Sequence, residues 1–391
     1  MTTAGIKTIG LCMIVKNAAH LVLQCLETVR PLVDYALIVD TGSTDGTQEI
    51  IRRFLSNENL PGEVIDEPWR DFAYNRSFAL AKLRERADID YALVMDATDR
   101  LIRLDSFDVS VFKAALANDL YHLEIRQGSI RFWRAQILSN RLEFIYKGVL
   151  HEVVAAPRAV STSEIVPGLY VEVGTGGATG TTNPQKYRDE AEILESALKT
   201  EADDFMRARY LFYLAYSWMN CGEKEKALRV FLQRSVLGHW NQEVCLSLLY
   251  AAQMKDALGY PDNDVIGSYL KAYESDPTRV EPLHGAMDYC RRHNKPHQAY
   301  LIGKQAIAIP EPIGSLFVAS WMYDYGLLEE FSVAAYHSGH YKDCVDALQK
   351  LLAEGKISES ARSRLLENSR IAADKLASMK HDPSPASAVL N

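Results

Sequence analysis

Several acidic and basic residues of this chain sit where apolar runs stop, which is where side chains become free to do chemistry. Val94-Met-Asp-Ala-Thr-Asp99 brings Asp96 and Asp99 to the end of one run, an arrangement suited to a hard cation bridging pyrophosphate oxygens. A strand ending in an ordinary polar turn would look the same. Asp40-Thr-Gly-Ser-Thr-Asp-Gly-Thr47 ends another run, with glycines for a tight turn and Thr44 or Asp45 to cap the next helix. Turn and cap account for Gly42 through Thr47. They do not account for Asp40, whose carboxylate stands at a strand tip, where a nucleotide base or ribose would bind. Trp69-Arg-Asp-Phe-Ala-Tyr-Asn-Arg76 opens a helix, and both the guanidinium and the helix terminus favour an anion there. Taken alone, Arg76 reads more simply as a solvated arginine on a helix face, and a lone His151–Glu152 pair is more often structural than catalytic.

The elements that would position these residues follow from periodicity. Thr8–Val15, Tyr35–Val39, Glu63–Ile65 and Tyr91–Met95 are short apolar runs, with helical spacing over Ala18–Val29, Thr47–Leu55 and Phe72–Arg86 between them. That alternation predicts βαβ units and a parallel sheet, with ligands beyond the carboxyl ends of the strands. The period then changes to two over Tyr121–Arg126, Ile130–Leu138, Leu142–Lys147 and Gly168–Val173, predicting antiparallel strands that extend or cover the sheet. Gly174–Thr182 reads as a loop. Its Gly174-Thr-Gly-Gly-Ala-Thr-Gly180 is not a dinucleotide motif, because Thr179 takes the third glycine's place outside any βαβ unit. A loop closing over a bound donor fits it better, with Lys186 or Arg188 reaching a diphosphate.

From Pro184 onward the pattern is helical. Aligning Ala227 with the small residue of a tetratricopeptide second helix puts Leu211, Leu214, Ala215, Trp218 and Phe231 at packing positions. A second alignment on Ala347 finds Phe331, Ala334, Ala335 and Leu351. An irregular helical bundle would have nearly the same core. The expected organisation is an α/β domain with a Rossmann-like mixed sheet over 1–183, an all-α repeat-like domain over 184–380, and a disordered tail over 381–391.

In order and spacing the clusters resemble the family 2 glycosyltransferases with a GT-A fold, in the branch that carries a tetratricopeptide-like C-terminal region. The matching pieces are Cys12-Met-Ile-Val-Lys-Asn17, Val39 through Thr47, Trp69 through Arg76, the Asp96 motif and Lys147-Gly-Val-Leu-His-Glu152, with Lys186-Tyr-Arg-Asp189 and Tyr210 through Tyr216 further on. The resemblance implies a nucleotide-sugar donor, with uridine diphosphate as its base-bearing group, and a divalent metal, Mn or Mg. It places Val15, Asn17 and Asp40 at the nucleoside, with Ser43, Asn75, Arg76, Asp96 and Arg188 among the donor contacts. It makes Asp96, Asp99 and His151 metal ligands and Glu152 the general base. An imidazole suits manganese better than magnesium. Adjacent residues on an extended strand face opposite ways, so His151 and Glu152 share a site only if the chain bends there.

One departure stands out. The family's metal motif carries a second carboxylate where this chain has Thr98. Either Asp99 compensates, or metal affinity is low, or catalysis is lost. The competing function is therefore a degenerate transferase domain acting as a protein- or peptide-binding module through its helical repeats. A nucleotidyltransferase ranks last, because Lys16-Asn-Ala-Ala-His20 replaces the glycine-rich phosphate loop such an enzyme needs after its first strand.

Composition narrows the rest. With 48% apolar and 24% charged residues, the chain is an ordinary globular one, and a net charge of −8 argues against a nucleic-acid partner. Six scattered cysteines form no C-x-x-C pair, no signal peptide opens the chain and no apolar run is membrane-length, so the cytoplasm is the expected compartment. The acceptor is a peptide, a glycan or a small molecule, and the helical half would bind it or form a homodimer.

Overall fold

The computed structural model of the chain describes residues 5–163, 165–174, 183–354 and 357–381. It divides into two compact units, one of residues 1–221 with 314–318 and one of 222–313 with 319–391. The loop expected over 174–182 lies outside the described residues except for Gly174, and of the expected tail only residue 381 falls within them, as the end of a helix.

The first unit is built on one mixed sheet. Its parallel part comprises β1 (Ile9–Val15), β2 (Tyr35–Asp40), β3 (Gly62–Asp66) and β4 (Tyr91–Val94), in the order β3-β2-β1-β4. The crossovers are the helices α1 (Val22–Val29), α2 (Thr47–Asn57) and α3 (Phe72–Arg84). Both faces of β1 are covered, so it reads as a continuous apolar run. Ile9, Leu11, Met13 and Val15 pack with Cys25 and Leu26 of α1, while Cys12 shares the opposite cluster with Ala79, Leu80 and Leu83 of α3. Helix α1 begins later than its apolar spacing predicts, because Ala18 accepts from the amides of Leu21 and Val22 in a turn at the β1 tip.

Beyond β4 the sheet is mixed. The next elements are β5 (Arg100–Arg103), α4 (Val109–Ala115), β6 (Leu120–Gln127), β7 (Ile130–Ser139), β8 (Ile145–Lys147), β9 (Val153–Ala155), β10 (Thr162–Ser163) and β11 (Leu169–Glu172). Strand β7 pairs antiparallel with β4 and with β6; β6 then pairs parallel with β11, and β11 antiparallel with β5. Strands β8 and β9 form a separate two-stranded hairpin. The short β5, β9 and β10 are too brief to show a period in the sequence. Helices α5 (Pro184–Leu198) and α6 (Asp204–Asn220) belong to this unit, so the compact division falls after Cys221 rather than at residue 183.

The second unit is helical: α7 (Lys224–Ser235), α8 (Asn241–Ala257), α9 (Asp262–Ser275), α10 (Glu281–Arg292), α11 (Pro296–Ala306), α12 (Leu327–His337), α13 (Tyr341–Glu354) and α14 (Glu359–His381), each packed on the next. Every residue picked out by the repeat alignments is buried, including Ala227 and Phe231 in this unit and Ala347 and Leu351 further on. Stacked pairs of this size bury their apolar faces only against neighbours. Among the described residues no helix is long and apolar enough to cross a membrane. All six cysteines are free, and five of them are buried.

Candidate active site

The carboxyl ends of β1 and β2 are tied together before any ligand is considered. Asn17, at a left-handed φ of 50°, accepts through Oδ1 from the Thr44 amide at 2.9 Å, and its own amide donates to Ser43 Oγ at 2.8 Å. The Ala18 and Ala19 amides donate to Thr47 Oγ1 and Asp45 Oδ2 at 2.8 and 3.0 Å. Gly42, at φ 106°, provides the backbone that turns the loop back onto Asp40. Asp40 itself is 1% exposed, and its Oδ1 accepts from the Gly42 and Ser43 amides at 2.9 and 2.7 Å. Its Oδ2 is buried with no hydrogen-bond partner. Burial works against the charged form, yet the bonds from Ser43 and Gly42 outweigh it and hold the pKa below the usual carboxylate value. The result is an ionised, rigid carboxylate with one acceptor atom unused.

Val15 contributes differently from the expectation. Its side chain is in the core, and its carbonyl accepts from Thr41, so only backbone is present at that strand tip. Asn75 is also spent on structure. It is fully buried, its Oδ1 accepts from the Arg70 amide at 3.0 Å, and its Nδ2 donates to the Pro68 carbonyl at 3.2 Å. The amide fixes the loop leading into α3, whose N-cap is Asp71.

Arg76, one helical turn in, joins two distant carboxylates. Its Nη2 donates to Asp96 Oδ1 at 2.5 Å and its Nε to Glu152 Oε1 at 2.6 Å, and the Arg76 side chain is 10% exposed. Burial alone would make the guanidinium easier to deprotonate; Asp96 and Glu152 overcome that and raise its pKa. Asp96 is likewise opposed by burial, but Arg76 and Arg134 together keep its pKa below normal. Asp99 goes the other way. It is 2% exposed, and burial and the Asp96 charge push its pKa up to about 6 against the pull of Arg134.

Arg134, on β7, drew no attention in the sequence. Its Nη2 lies 3.1 Å from Asp99 Oδ2 and its Nη1 3.6 Å from Asp96 Oδ2. The only signal for it was the period-two run placing Arg134 and Gln136 on one face of a strand, which does not say what that face meets. Thr98 donates to Asp99 Oδ1 at 3.3 Å. Gly174 packs on the same tip, where any side chain would run into the Thr98 carbonyl.

His151 and Glu152 lie between β8 and β9, and there the chain does bend. His151 sits at φ 52°, and the two side chains part. Glu152 goes to Arg76, while the imidazole stacks on Tyr213 of α6 at 3.7 Å and 6°. Helix α6 holds this segment by two further bonds, from Arg209 Nε to the His151 carbonyl at 2.8 Å and from the Val149 amide to Tyr210 Oη at 3.1 Å. His151 therefore does not join Asp96 and Asp99: among the described residues no three His, Cys, Asp or Glu side chains form a metal-holding group. Arg188 is half-buried on α5, and Lys186, two positions before it, lies close enough to His151 to act on its charge.

Burial, then Arg209 and Lys186, lower the His151 pKa to about 3, so the ring is neutral in the folded chain above that. An unfolded chain binds a proton there near pH 6.5. Stability from this site is thus fully present above pH 6.5 and is lost as the pH falls toward 3. His151→Phe, which keeps the stack and removes the titration, is expected to flatten that part of the acid limb. Urea midpoints for both proteins at pH 7, 5 and 4 would check it, and parallel losses would refute it.

A cavity of about 420 Å³ is lined by Tyr146, Val149, Asp71, Glu201, Asp203 and Tyr210, and shares its 146–149 wall with the segment that carries Glu152.

The family model described as glycosyl transferase family 2 matches residues 11–101, which hold β1 through β4 and the Asp40, Arg76 and Asp96 positions. A TPR repeat-containing protein of Synechococcus elongatus is 29% identical over 162 residues, covering 39% of this chain and 36% of that protein. The lipopolysaccharide core biosynthesis glycosyltransferase LpsC of Rhizobium meliloti is 32% identical over 78 residues, 20% of this chain and 27% of that one. The chain thus spans about a third and about a quarter of these curated relatives. Among solved structures, S. aureus TarS aligns at 14% identity and TM-score 0.32 over 69% of this chain and 53% of its own. BtubC of P. vanneervenii aligns at 14% identity and TM-score 0.35 over 53% and 80%.

Proposed function

We propose that this chain, whose residues 11–101 match the model of glycosyl transferase family 2, transfers a sugar from a nucleoside-diphosphate donor, a UDP-sugar, to an acceptor hydroxyl or amine with inversion at the anomeric carbon. The observation that carries the donor reading is Asp40. A buried carboxylate oxygen without a partner costs roughly 1–3 kcal/mol, and an N–H of a pyrimidine base or a ribose hydroxyl would satisfy it. Asn17 and Ser43 tie together the loop that follows Asp40. Arg76 and Asp96 stand at the next strand tip, toward the diphosphate.

In this reading the acceptor oxygen or nitrogen attacks the anomeric carbon and the bond to the diphosphate breaks, its electron pair leaving with the nucleoside diphosphate. The acceptor proton goes to Glu152, whose carboxylate is held in place by Arg76 Nε on Oε1. The cavity beside Glu152 is where the acceptor would enter, and the helical unit would offer it, or a second copy of the chain, a surface. A divalent metal is what family resemblance implies, with Asp96 and Asp99 to hold it. The residues do not fit one well: both carboxylates already carry a guanidinium, Thr98 is neutral and His151 is turned away.

The test is binding and hydrolysis of a panel of nucleotide sugars by wild type and Asp40→Asn. One donor should turn over, and the substitution should weaken nucleoside affinity by about tenfold or more, the loss of a charge-assisted hydrogen bond. A protein that binds no nucleotide sugar at all is not a transferase, and the binding-module reading would then stand.

A further inference from the structure

The contacts of Arg134 describe a cation built into the chain. Gln136, 1% exposed on the same face of β7, donates through Nε2 to the Val94 carbonyl at 2.8 Å and accepts through Oε1 from Arg134 Nε at 2.7 Å. A buried amide anchored on β4 thus aims the guanidinium at the tip of β4. There its two remaining nitrogens take one oxygen of Asp96 and one of Asp99, at 3.6 and 3.1 Å. One positive group bridges both acids of the motif, as a divalent ion would. The Arg134 side chain is still 39% exposed, so part of the fork is open to a ligand arriving over the strand tips.

We infer that Arg134 is the resident cation of the donor site, standing in the place a divalent metal takes, so that a nucleoside diphosphate binds this chain without metal. The inference rests on the donor reading above. A planar guanidinium offers paired N–H groups that match phosphate oxygens and cannot be deprotonated, which makes it a fixed counter-charge. A metal entering between Asp96 and Asp99 would have to detach Arg134 from both and leave it beside a dication, so the two occupants exclude each other. The neutral Thr98 is consistent with this: its hydroxyl already donates to Asp99, and a further carboxylate there would add to Asp96, Asp99 and Glu152, which already outnumber Arg76 and Arg134.

Calorimetric titration of UDP and of uridine, in excess Mn²⁺ and in chelator, would decide it on wild type, Arg134→Met and Arg134→Lys. Wild type should bind UDP equally, within about twofold, in both media. Arg134→Met should lose about tenfold or more of its UDP affinity in chelator while retaining uridine binding, one charged contact being worth about that much. Mn²⁺ should restore UDP binding to it, since Asp99 and the Oδ2 of Asp96 are then free of Arg134. Arg134→Lys, keeping the charge without the fork, should fall between, and it answers the question if the methionine variant unfolds. Uridine binding with UDP binding that requires Mn²⁺ in wild type overturns this inference and leaves the donor reading intact. So does an Arg134→Met protein that binds UDP as wild type does. Failure of both uridine and UDP to bind overturns the donor reading and this inference together.

Discussion

Glu152→Gln is expected to lower kcat of sugar transfer by roughly 10²- to 10⁴-fold, the range for removal of a general base, with little change in donor affinity. The glutamine keeps the size of the side chain and can still accept from Arg76 Nε, so the hairpin has no reason to move. What is removed is the ability to take the acceptor's proton. The loss should fall on kcat and leave the donor KM unchanged, a split that a merely structural glutamate would not produce. A fall in kcat below about threefold would remove Glu152 from the chemistry and return it to a helix-to-hairpin ion pair.

Arg76→Met should cost both stability and activity. Breaking a largely buried ion pair by removing one partner destabilises by about 3–5 kcal/mol, because the remaining charge has neither water nor a partner. Here Asp96 keeps Arg134 and is 31% exposed, so a loss near the low end, about 3 kcal/mol, is expected. Most of that comes from Glu152, which has no second cation among its defined contacts and is 14% exposed. Pairing the change with Glu152→Gln should recover a large part of the stability and none of the activity, since the two residues share one contact. Urea unfolding of the four proteins of this cycle gives the coupling. Strict additivity would mean that Arg76 and Glu152 do not act on each other in solution.

Both predictions concern groups whose local elements are plain in the sequence but whose meeting is not. The parallel strands declare themselves because each is buried on both faces and reads as a run of apolar residues. The turn after β2 is declared by Gly42 and Gly46; the N-cap of α2 is Gly46 itself, not the expected Thr44 or Asp45, and Asp45 accepts from the Thr47 amide from one residue further out. Asp40 stands out as the residue which turn chemistry leaves unexplained, and its unpartnered oxygen is the structural counterpart of that surplus. The helical half is legible for a similar reason, since Ala227 and Ala347 mark places where a neighbouring helix comes close.

Asn75 and His151 show where spacing misleads. Both occupy motif positions, but a buried amide takes whatever backbone groups lie within reach, and Asn75 found Arg70 and Pro68. His151 turned to Tyr213, more than fifty positions along the chain, because a left-handed residue sends its side chain away from that of its neighbour.

The sequence by itself determined the strand–helix rhythm, the acids at the strand tips and the repeat-like helices, because each depends on residues within a turn or two of one another. The tertiary structure alone decided that Arg76 holds Asp96 and Glu152 together, that α5 and α6 belong with the sheet, and that Arg134 lies across Asp96 and Asp99. Those outcomes depend on which strand lies beside β4, and β7 pairs there through hydrogen bonds between backbones that carry no side-chain signature.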